Sequence, residues 1–479
     1  MIYNINVKKD KSNIFKIENI IDQETGEVIT LEQLLSLSGT IFVSNLNIAF
    51  FEIVKELKKL KFRNVYNATK KNQFSFAYKN GECYSIRVYK EKLLIISNFE
   101  KKFLREFGDF ESNKKLVDYS IFKNRYSSSI GRDAFNEWLQ SVFKCKNHTI
   151  NINACMNIFR QDYPVIKNDF LETAKTYTSG YQIAKRGYYH NVYNYDIISS
   201  FPSQLLNDTP VGLPREFDSF DNMPTSYWYI VKFTALDIVC KDNCIDFLEC
   251  NNSNIHTFVL TKHLFELFKT TYTFKILKIK RIQAFKTRHD RFIDFVYNNV
   301  IAGKLNEVDP IISKYNKGVA NSIVGYFGKN TTRVSCKFIG NTIHYKNEDC
   351  EPIYLPLYLF VTGKAKAEFI RTINRIGIDN IIYANTDGIL TANPVKLERL
   401  NYGRIGQIGV FKQKPIFKEI YIDCINGYSA ITEDGKIDNT ISGMKPLSPV
   451  SVADYMNNTF DYVINEITTQ GVQEHVIHR

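Results

Sequence analysis

The chain has 479 residues, of which 44% are hydrophobic and 14% aromatic, a composition that fits an ordered globular protein of about two to four domains. Its formal net charge of +12 favours polyanions, so nucleic acid is the leading class of partner. Nine cysteines without paired spacing, a charged N-terminus and short apolar runs exclude a disulfide framework, a signal peptide and a membrane span. We therefore expect a soluble cytoplasmic protein with no membrane partner.

The N-terminal part, from Met1 to about Leu104, alternates short strand-like segments such as TIFVSN with the helical stretch AFFEIVKELKKLKF. This pattern predicts a small α/β domain that ends before Ile150. The polar stretch RYSSSIGRD then interrupts the pattern, and residues 132–143 follow with apolar side chains at three-to-four spacing. That spacing predicts a connecting helix.

The segment YYHNVYNYDIISSFPSQLL predicts a strand that runs into Asp196 and turns at Pro202. Two helices are predicted later, RHDRFIDFVYNNVIAGK and IISKYNKGVANSIVGYFGK. The segment IDNIIYANTDGILTAN predicts a hairpin with Asn385 and Asp387 at its bend. The last part predicts short strands from about residue 411 and a closing helix near 452–467.

Two carboxylates at strand ends form the first candidate site. Nucleotidyl transfer needs two divalent cations, one to activate the attacking hydroxyl and one to neutralise the triphosphate. Asp196 and Asp387 could hold both ions if a sheet brings them together. Between them, Lys317, Asn321 and Val324 share one helix face, and a lysine there can meet the β- and γ-phosphates. A single Asp after a strand is more often a turn residue, and a single helix lysine is more often solvated, so the prediction rests on all three segments.

The segments DIISSFPS, KGVANSIVG and YANTDGI resemble, in order, the three polymerase motifs of family B DNA polymerases, DxxSLYPS, KxxxNSxYG and YxDTDS. Upstream, residues 177–180 (YTSG) resemble the YxGG element of the protein-primed branch of that family, known from phages and linear plasmids. About 120 residues separate the first two motifs and about 55 the last two, which leaves room for the two insertions of that branch. The resemblance implies an α+β right-hand polymerase fold, with palm, fingers and thumb, behind an N-terminal ribonuclease-H-like exonuclease remnant.

The resemblance also implies roles for individual residues. Asp196 and Asp387 would bind two Mg²⁺ or Mn²⁺ ions and act in catalysis with Lys317, which would contact the triphosphate. The nucleotide pocket would further include Ser199, Phe201, Asn321, Ser322 and Val324. DNA contacts would come from Tyr177, Ser179, Gly180, Tyr383, Thr386 and Tyr428. Phe201 stands where the family has the tyrosine under the sugar, and its ring still blocks a 2′-hydroxyl, so we expect deoxynucleotides to be preferred.

The same resemblance divides the chain into seven segments. They are an exonuclease-like domain (1–150), the first part of the palm (151–205), an insertion of the terminal-protein-region type (206–286), the fingers (287–328), a hairpin insertion (329–352), the second part of the palm with the third motif (353–410), and the end of the palm with the thumb (411–479).

Three positions depart from the polymerase motifs. Asn385 replaces the first Asp of the third motif, where the resemblance implies a supporting role more than metal binding. Val324 replaces a tyrosine, and Asn426 replaces the lysine of the late KxY element, which keeps Tyr428.

The N-terminal domain departs further. SNLNIAFFEI resembles the second exonuclease motif, with Asn45 retained and Ala49 in place of its Asp. The segment IDQETG places Asp22 and Glu24 like the first motif, but it lies too close to Asn45, so we interpret it as a turn. With a metal-binding carboxylate missing, we predict no proofreading.

The leading prediction is template-directed DNA synthesis primed by a protein hydroxyl. Its expected partners are template and primer DNA, deoxynucleoside triphosphates, and a terminal protein that carries the priming hydroxyl. For a phage- or plasmid-encoded chain the compartment would be the host cytoplasm. Two alternatives stay open. One is a template-independent nucleotidyltransferase acting on DNA or protein, and the other is a catalytically lapsed DNA-binding scaffold.

Overall fold

The computed structural model describes residues 1–11, 13–65, 68–79, 82–103, 109–123, 125, 127, 129–143, 152–166, 169–329, 332–339, 342–349, 353–401, 406–442, 444–467 and 472–477. The predicted domain boundary at residue 150 lies outside these residues.

The N-terminal part is a sheet with helices packed against it. Its strands are β1 (Ile2–Lys9), β2 (Phe15–Asp22), β3 (Val28–Ile29), β4 (Gly39–Val43), β5 (Arg63–Asn64), β6 (Gln73–Lys79), β7 (Glu82–Tyr89) and β8 (Leu93–Asn98), and its helices are α1 (Leu31–Ser36) and α2 (Leu46–Lys59). The strand order is β3-β2-β1-β4-β8-β7-β6-β5, with β1, β4 and β8 parallel at its centre. Helix α2 contains most of the predicted helical stretch, and its apolar residues at three-to-four spacing are buried in this core.

Helices make up most of the described part of the connector that follows. They are α3 (Phe99–Lys102), α4 (Phe110–Phe122), α5 (Ile130–Phe143), α6 (Ile152–Asp162) and α7 (Asp169–Lys175). Helix α5 begins two residues before the start predicted from sequence. On it, the ring of Trp138 stacks on Phe292 with centroids 4.8 Å apart and meets Phe327 edge-on at 5.3 Å. These contacts tie the connector to the helical region that follows later in the chain.

The next segment contributes two strands to the sheet that it shares with the C-terminal part and forms a separate four-stranded sheet. Its elements are β9 (Gln182–Ala184), β10 (Gly187–Ile197), α8 (Ser200–Gln204), β11 (Thr209–Phe217), β12 (Trp228–Cys240), β13 (His256–Thr261), α9 (Lys262–Thr271) and β14 (Tyr272–Arg288). The order β11-β14-β12-β13 makes a four-stranded antiparallel sheet. Helix α9 packs Phe265 and Phe268 on Phe233 of this sheet, with centroids 5.0 and 5.4 Å apart.

The helical region differs from the prediction at its start. Its elements are α10 (Ile293–Val296), a π-helix (Tyr297–Leu305), α11 (Pro310–Phe327), the hairpin strands β15 (Thr332–Ile339) and β16 (Thr342–Asp349), and α12 (Leu355–Ile376). The first helix was predicted from Arg288, but Arg288 pairs with Thr209 in a β-ladder and stays extended. Helix α11 begins as predicted, because Pro310 occupies its first turn and the Asp309 side chain accepts from the amides of Ile311 and Ile312.

The C-terminal part contains a 3₁₀ turn (Ile378–Asn380), β17 (Ile381–Asn385), β18 (Gly388–Thr391), α13 (Leu397–Leu400), β19 (Phe411–Gln413), β20 (Phe417–Cys424), β21 (Gly427–Thr432), β22 (Ile437–Ile441), β23 (Lys445–Pro446), α14 (Val452–Asn457), β24 (Tyr462–Ile467) and β25 (Val472–Ile477). The predicted closing helix at 452–467 is wrong in its second half. Asn458 takes a left-handed conformation with φ 55° and ends α14, and the β-branched residues after it pair as β24 with β23 and β25.

Candidate active site

The carboxylates Asp196 and Asp387 meet in a sheet with the order β22-β21-β20-β10-β18-β17-β9. In the antiparallel pair of β10 and β18, Asp196 lies opposite Gly388, and the amide of Ile197 donates to the carbonyl of Asp387 at 2.9 Å. Asp387 lies in the tight turn between β17 and β18, where Thr386 has a φ of 60°. The register therefore brings two residues that are distant in sequence to the same end of the sheet.

A cavity of about 560 Å³ opens at this end of the sheet. Nine of the residues that the sequence singled out line it: Ser179, Gly180, Asp196, Ser199, Phe201, Lys317, Asn321, Val324 and Asp387. The shared helix face of Lys317, Asn321 and Val324 is the face of α11 that reaches this cavity. Six other residues from the sequence analysis, Tyr177, Ser322, Tyr383, Asn385, Thr386 and Tyr428, are not among those that line it.

Close approach of two chain segments explains the glycine at position 180. A Cβ atom there would lie 2.4 Å from Oγ1 of Thr386, and the Thr386 amide donates to the carbonyl of Tyr181 at 3.0 Å. Tyr177, in contrast, packs edge-on against Phe258 at 6.4 Å. The YTSG segment thus lies directly against the turn that presents Asp387.

Asp196 lies close enough to Asp387 to affect the ionisation of Asp387. Burial, and after it the negative charge of Asp196, raises the pKa of Asp387 to about 6, and Lys414 and Lys317 oppose this rise. Lys414 Nζ lies 3.0 Å from Oδ2 of Asp196. Two neighbouring carboxylates are suited to a divalent cation, since Mg²⁺ and Mn²⁺ accept a few carboxylates and complete their shells with water and phosphate oxygens.

Among the described residues, no group of three or more His, Cys, Asp or Glu side chains is arranged to hold a metal ion. The candidate cation ligands are thus the two carboxylates of Asp196 and Asp387.

Sequence reasoning found one lysine of this cavity and missed three. Lys304, Lys412 and Lys414 line it together with Lys317. Lys304 comes from the last turn of the π-helix, and its Nζ donates to Oγ of Ser199 at 2.6 Å. Burial, and after it the charges of Lys317 and Lys412, lowers the pKa of Lys304 to about 8. No periodicity in the sequence pairs the π-helix with α11, so only the position of Lys304 at the end of a predicted helix could have suggested it.

Two of the departures from the family motifs are hydrogen-bonded to each other. Asn385 Nδ2 donates to Oδ1 of Asn426 at 2.6 Å, and Oδ1 of Asn385 accepts from Gln182 Nε2 at 3.0 Å. The hydroxyl of Tyr383 accepts from Asn385 Nδ2 and from the amide of Asn426, both at 3.3 Å. Tyr428 packs edge-on against Tyr383 at 5.7 Å. A neutral amide pair therefore supports the strand end beside Asp387, with no charge on either partner.

Amide side chains also surround the second exonuclease-like motif. Asn45 follows β4, and its Nδ2 donates to the carbonyl of Ile5 at 2.9 Å. Ala49 is buried in α2. On the neighbouring strand β1, Asn4 Nδ2 donates to Oδ1 of Asn6 at 2.8 Å, and the hydroxyl of Ser44 donates to Asn4. Sequence reasoning missed Asn4 and Asn6, which only the pairing of β1 with β4 brings near Asn45.

The segment IDQETG is a turn, as predicted. Oδ1 of Asp22 accepts from the amides of Glu24 at 2.8 Å and Thr25 at 3.2 Å, which closes the connection between β2 and β3.

The raised pKa of Asp387 predicts that the metal-free protein loses stability as the pH rises. The folded chain holds this proton up to about pH 6, whereas the unfolded chain releases it near 3.8, so the stability contributed by Asp387 falls as the pH rises from about 4 to 6. Asp387→Asn removes this loss. With chelator present, we expect the variant to gain stability over the original chain between pH 4.5 and 7, by at most about 3 kcal/mol.

Urea unfolding of both proteins at the two pH values measures this difference. An equal difference in unfolding free energy at pH 4.5 and at pH 7 would contradict the assignment.

Among the described residues, no helix is both long and apolar enough to cross a membrane. No protein-family model matches the sequence, and no curated protein matches it.

Solved structures do match over the whole chain. Phi29 DNA polymerase complexed with primer-template DNA and incoming nucleotide substrates has a TM-score of 0.79 at 15% identity, over 100% of this chain and 99% of that one. Its binary complex with primer-template DNA gives 0.78 at 15% identity, and its complex with single-stranded DNA gives 0.77 at 16%, with the same coverage. The chain therefore has the α+β fold of phi29 DNA polymerase from end to end, a right-hand polymerase fold with an exonuclease-like N-terminal region.

Proposed function

We propose that this chain is a DNA polymerase that extends a primer on a template by two-metal nucleotidyl transfer. One observation supports it above the others: Asp196, Asp387 and Lys317, from three separate elements, line one cavity at the end of the central sheet. The fold that positions them is that of a polymerase whose solved complexes contain primer-template DNA and nucleotide.

In this proposal Asp196 and Asp387 hold Mg²⁺ or Mn²⁺, which would activate the primer hydroxyl and neutralise charge on the triphosphate. Asp387 must give up its proton for this role, and its pKa of about 6 makes it ionised at neutral pH. Lys317 and Lys304 reach the same cavity from α11 and the π-helix, where they stabilise the negative charge of the β- and γ-phosphates. The Asn385–Asn426 pair holds the end of β17 in place.

Phe201 is proposed to select the deoxyribose sugar. It follows Ser200 in the short helix α8, packs against the hydrophobic cluster that contains Trp138 and Phe327, and lines the cavity. An aromatic ring under the sugar leaves no room for a 2′-hydroxyl. We expect Phe201→Ala to raise the use of ribonucleotides relative to deoxynucleotides by a factor on the order of 10². The ratio of kcat/KM for ribo- and deoxyribonucleotides with the same base measures this. An unchanged ratio would remove Phe201 from sugar selection.

We further propose that the chain does not proofread. A hydrolytic site needs carboxylates to hold its metal ions. Around Asn45, the described residues present the amides Asn4 and Asn6, the hydroxyl of Ser44 and the methyl group of Ala49. A labelled primer with a mispaired 3′ end should therefore keep its length in the absence of nucleotides, and its shortening in Mg²⁺ or Mn²⁺ would contradict this proposal.

Protein priming is the finer part of the proposal. The sheet built from β11 to β14, with α9, lies between the strand of Asp196 and the helices of Lys304 and Lys317 in sequence. By the resemblance, an insertion at this place in the chain would contact the terminal protein. A partner with a side-chain hydroxyl should become labelled by a single deoxynucleotide in the absence of primer. The proposed compartment is the cytoplasm, that of the host for a phage- or plasmid-encoded chain.

The experiment for the main proposal is extension of a labelled primer with all four deoxynucleotides, with and without template, in Mg²⁺ and in Mn²⁺. Product that ends at the template's 5′ end, and forms only with template, supports a templated polymerase. Extension of the single-stranded primer alone would favour an untemplated nucleotidyltransferase, the reading that the Asn385 and Asn426 departures motivate. DNA binding without any extension, unchanged in Asp196→Ala, would indicate a lapsed scaffold.

A further inference from the structure

Lys414 is held beside Asp196 by the backbone. Strand β19 pairs with β10 so that Gln413 lies opposite Tyr195 and Lys412 opposite Asp196. One residue further, the amide of Lys414 donates to the carbonyl of Asn194 at 2.8 Å. This register sends the Lys414 side chain to Asp196, where Nζ lies 3.0 Å from Oδ2. The ion pair thus follows from the sheet and involves a carboxylate that the proposed function assigns to metal.

The cavity around the Lys414–Asp196 ion pair carries more positive than negative side chains. Four lysines and two aspartates line the cavity among the described residues, so its formal charge is positive before any cation or nucleotide enters. A divalent cation at Asp196 must therefore bind against the charge of Lys414 and also replace it at the carboxylate oxygen. The Lys414 side chain is 42% exposed, and an ion pair at that exposure costs little to separate.

We propose that Lys414 is an exchangeable counter-ion of Asp196: it neutralises this carboxylate in the metal-free site, and a divalent cation displaces it toward the incoming triphosphate. The inference rests on the proposed function, because it takes Asp196 as a metal ligand. Lysine suits the exchange, since its ammonium is a point charge on a flexible stem. The displaced ammonium then adds to Lys317 and Lys304 as a third charge for the phosphates. Lys414 is accordingly a competitor of the metal at Asp196 in the empty site and a binding residue for the nucleotide once the metal is bound.

Lys412 provides a matched control. It lines the same cavity from β19, and its removal takes away the same formal charge, but the ion pair with Asp196 is made by Lys414. Lys414→Met and Lys412→Met therefore separate displacement of a specific partner from a general change in potential. Thermal unfolding of both variants checks that each one folds.

The test is titration of the full chain with Mn²⁺ alone, followed by electron paramagnetic resonance of free Mn²⁺. We expect Lys414→Met to bind Mn²⁺ about tenfold more tightly than the original chain, and Lys412→Met to change the affinity by less than about threefold. Once Mn²⁺ is saturating, Lys414→Met should bind a deoxynucleoside triphosphate severalfold more weakly. Equal changes in the two variants, or no gain in Mn²⁺ affinity for Lys414→Met, would overturn the proposal.

Mn²⁺ binding by the original chain and by Asp387→Asn separates failure of the exchange from failure of the proposed function. If the original chain binds Mn²⁺ and Asp387→Asn loses that binding, the metal site stands and the comparison of the two lysine variants decides the exchange alone. If the original chain binds no Mn²⁺, the metal assignment and the exchange both fail, and the primer-extension experiment then shows whether any synthesis occurs without it.

Discussion

Asp387→Asn is expected to abolish nucleotide incorporation, lowering the single-turnover rate by a factor on the order of 10³ or more. The substitution keeps the size of the side chain and its oxygen but removes the charge that would hold the cations. Several kcal/mol of transition-state stabilisation depend on those cations, and each 1.36 kcal/mol is tenfold in rate. Asp196→Asn should have the same effect, because the two carboxylates face one cavity. Rapid-quench extension of a primer by one nucleotide measures both.

Asp379 supplies the control for this experiment. It lies in the 3₁₀ turn that leads into β17, on the same stretch of chain as Asp387, and it is exposed. Asp379→Asn should leave the incorporation rate within about twofold. If Asp387→Asn retained more than a tenth of the rate, the metal assignment would be wrong.

Arg125→Met is expected to destabilise the fold by about 3 to 5 kcal/mol. Arg125 is 2% exposed, and its side chain joins α5 of the connector to the π-helix and α11. Its Nε donates to Glu137 at 2.8 Å, Nη1 to Asn316 at 3.0 Å and Nη2 to Asn299 at 2.7 Å. The variant removes the arginine donor from Oε2 of Glu137 and from Oδ1 of buried Asn299, and it leaves Oδ1 of Asn316 with the Tyr119 hydroxyl as donor. Loss of donors in a buried charged network is the costly outcome.

The same network holds the helices that present two of the cavity lysines. Asn316 precedes Lys317 on α11 and donates to the carbonyl of Gly303, which precedes Lys304 in the π-helix, at 2.7 Å. A Cβ at Gly303 would lie 2.8 Å from Asn316 Nδ2, so the two helices meet closely here. Loss of Arg125 should therefore weaken nucleotide binding as well as stability.

The exposed Arg186 supplies the control for the stability change expected in Arg125→Met. Arg186 pairs with Asp423 at 3.1 Å, and its side chain is 71% exposed. Arg186→Met should change the free energy of unfolding by less than about 1 kcal/mol. Urea unfolding of the two variants tests the difference, and similar losses for Arg125 and Arg186 would show that the buried network does not stabilise the fold as argued.

The sequence could predict the parts of the site that depend on local pattern. A strand ending at Asp196 and a hairpin around Asp387 follow from apolar alternation and a polar bend, and helix α11 follows from a proline and a capping aspartate at its start. Its 3.6-residue period correctly placed Lys317, Asn321 and Val324 on one face. The closing helix failed because a strand-forming stretch after Asn458 found partners in β23 and β25, which local pattern does not reveal.

The parts that depend on contacts between distant segments could not be predicted. Lys304 and Lys414 reach the cavity through a π-helix and through a short strand whose register on β10 is set by tertiary pairing. The hydrogen bond between Asn385 and Asn426 joins two departures that appeared independent in sequence. The polar network of Arg125 likewise joins residues that are more than a hundred positions apart.

The most direct test of templated synthesis is single-nucleotide incorporation with each of the four deoxynucleotides opposite each of the four template bases. The account predicts efficient incorporation of the Watson–Crick partner alone in every case, and loss of all incorporation in Asp387→Asn. Incorporation that ignores the template base, or that persists in Asp387→Asn, would contradict a two-carboxylate templated polymerase.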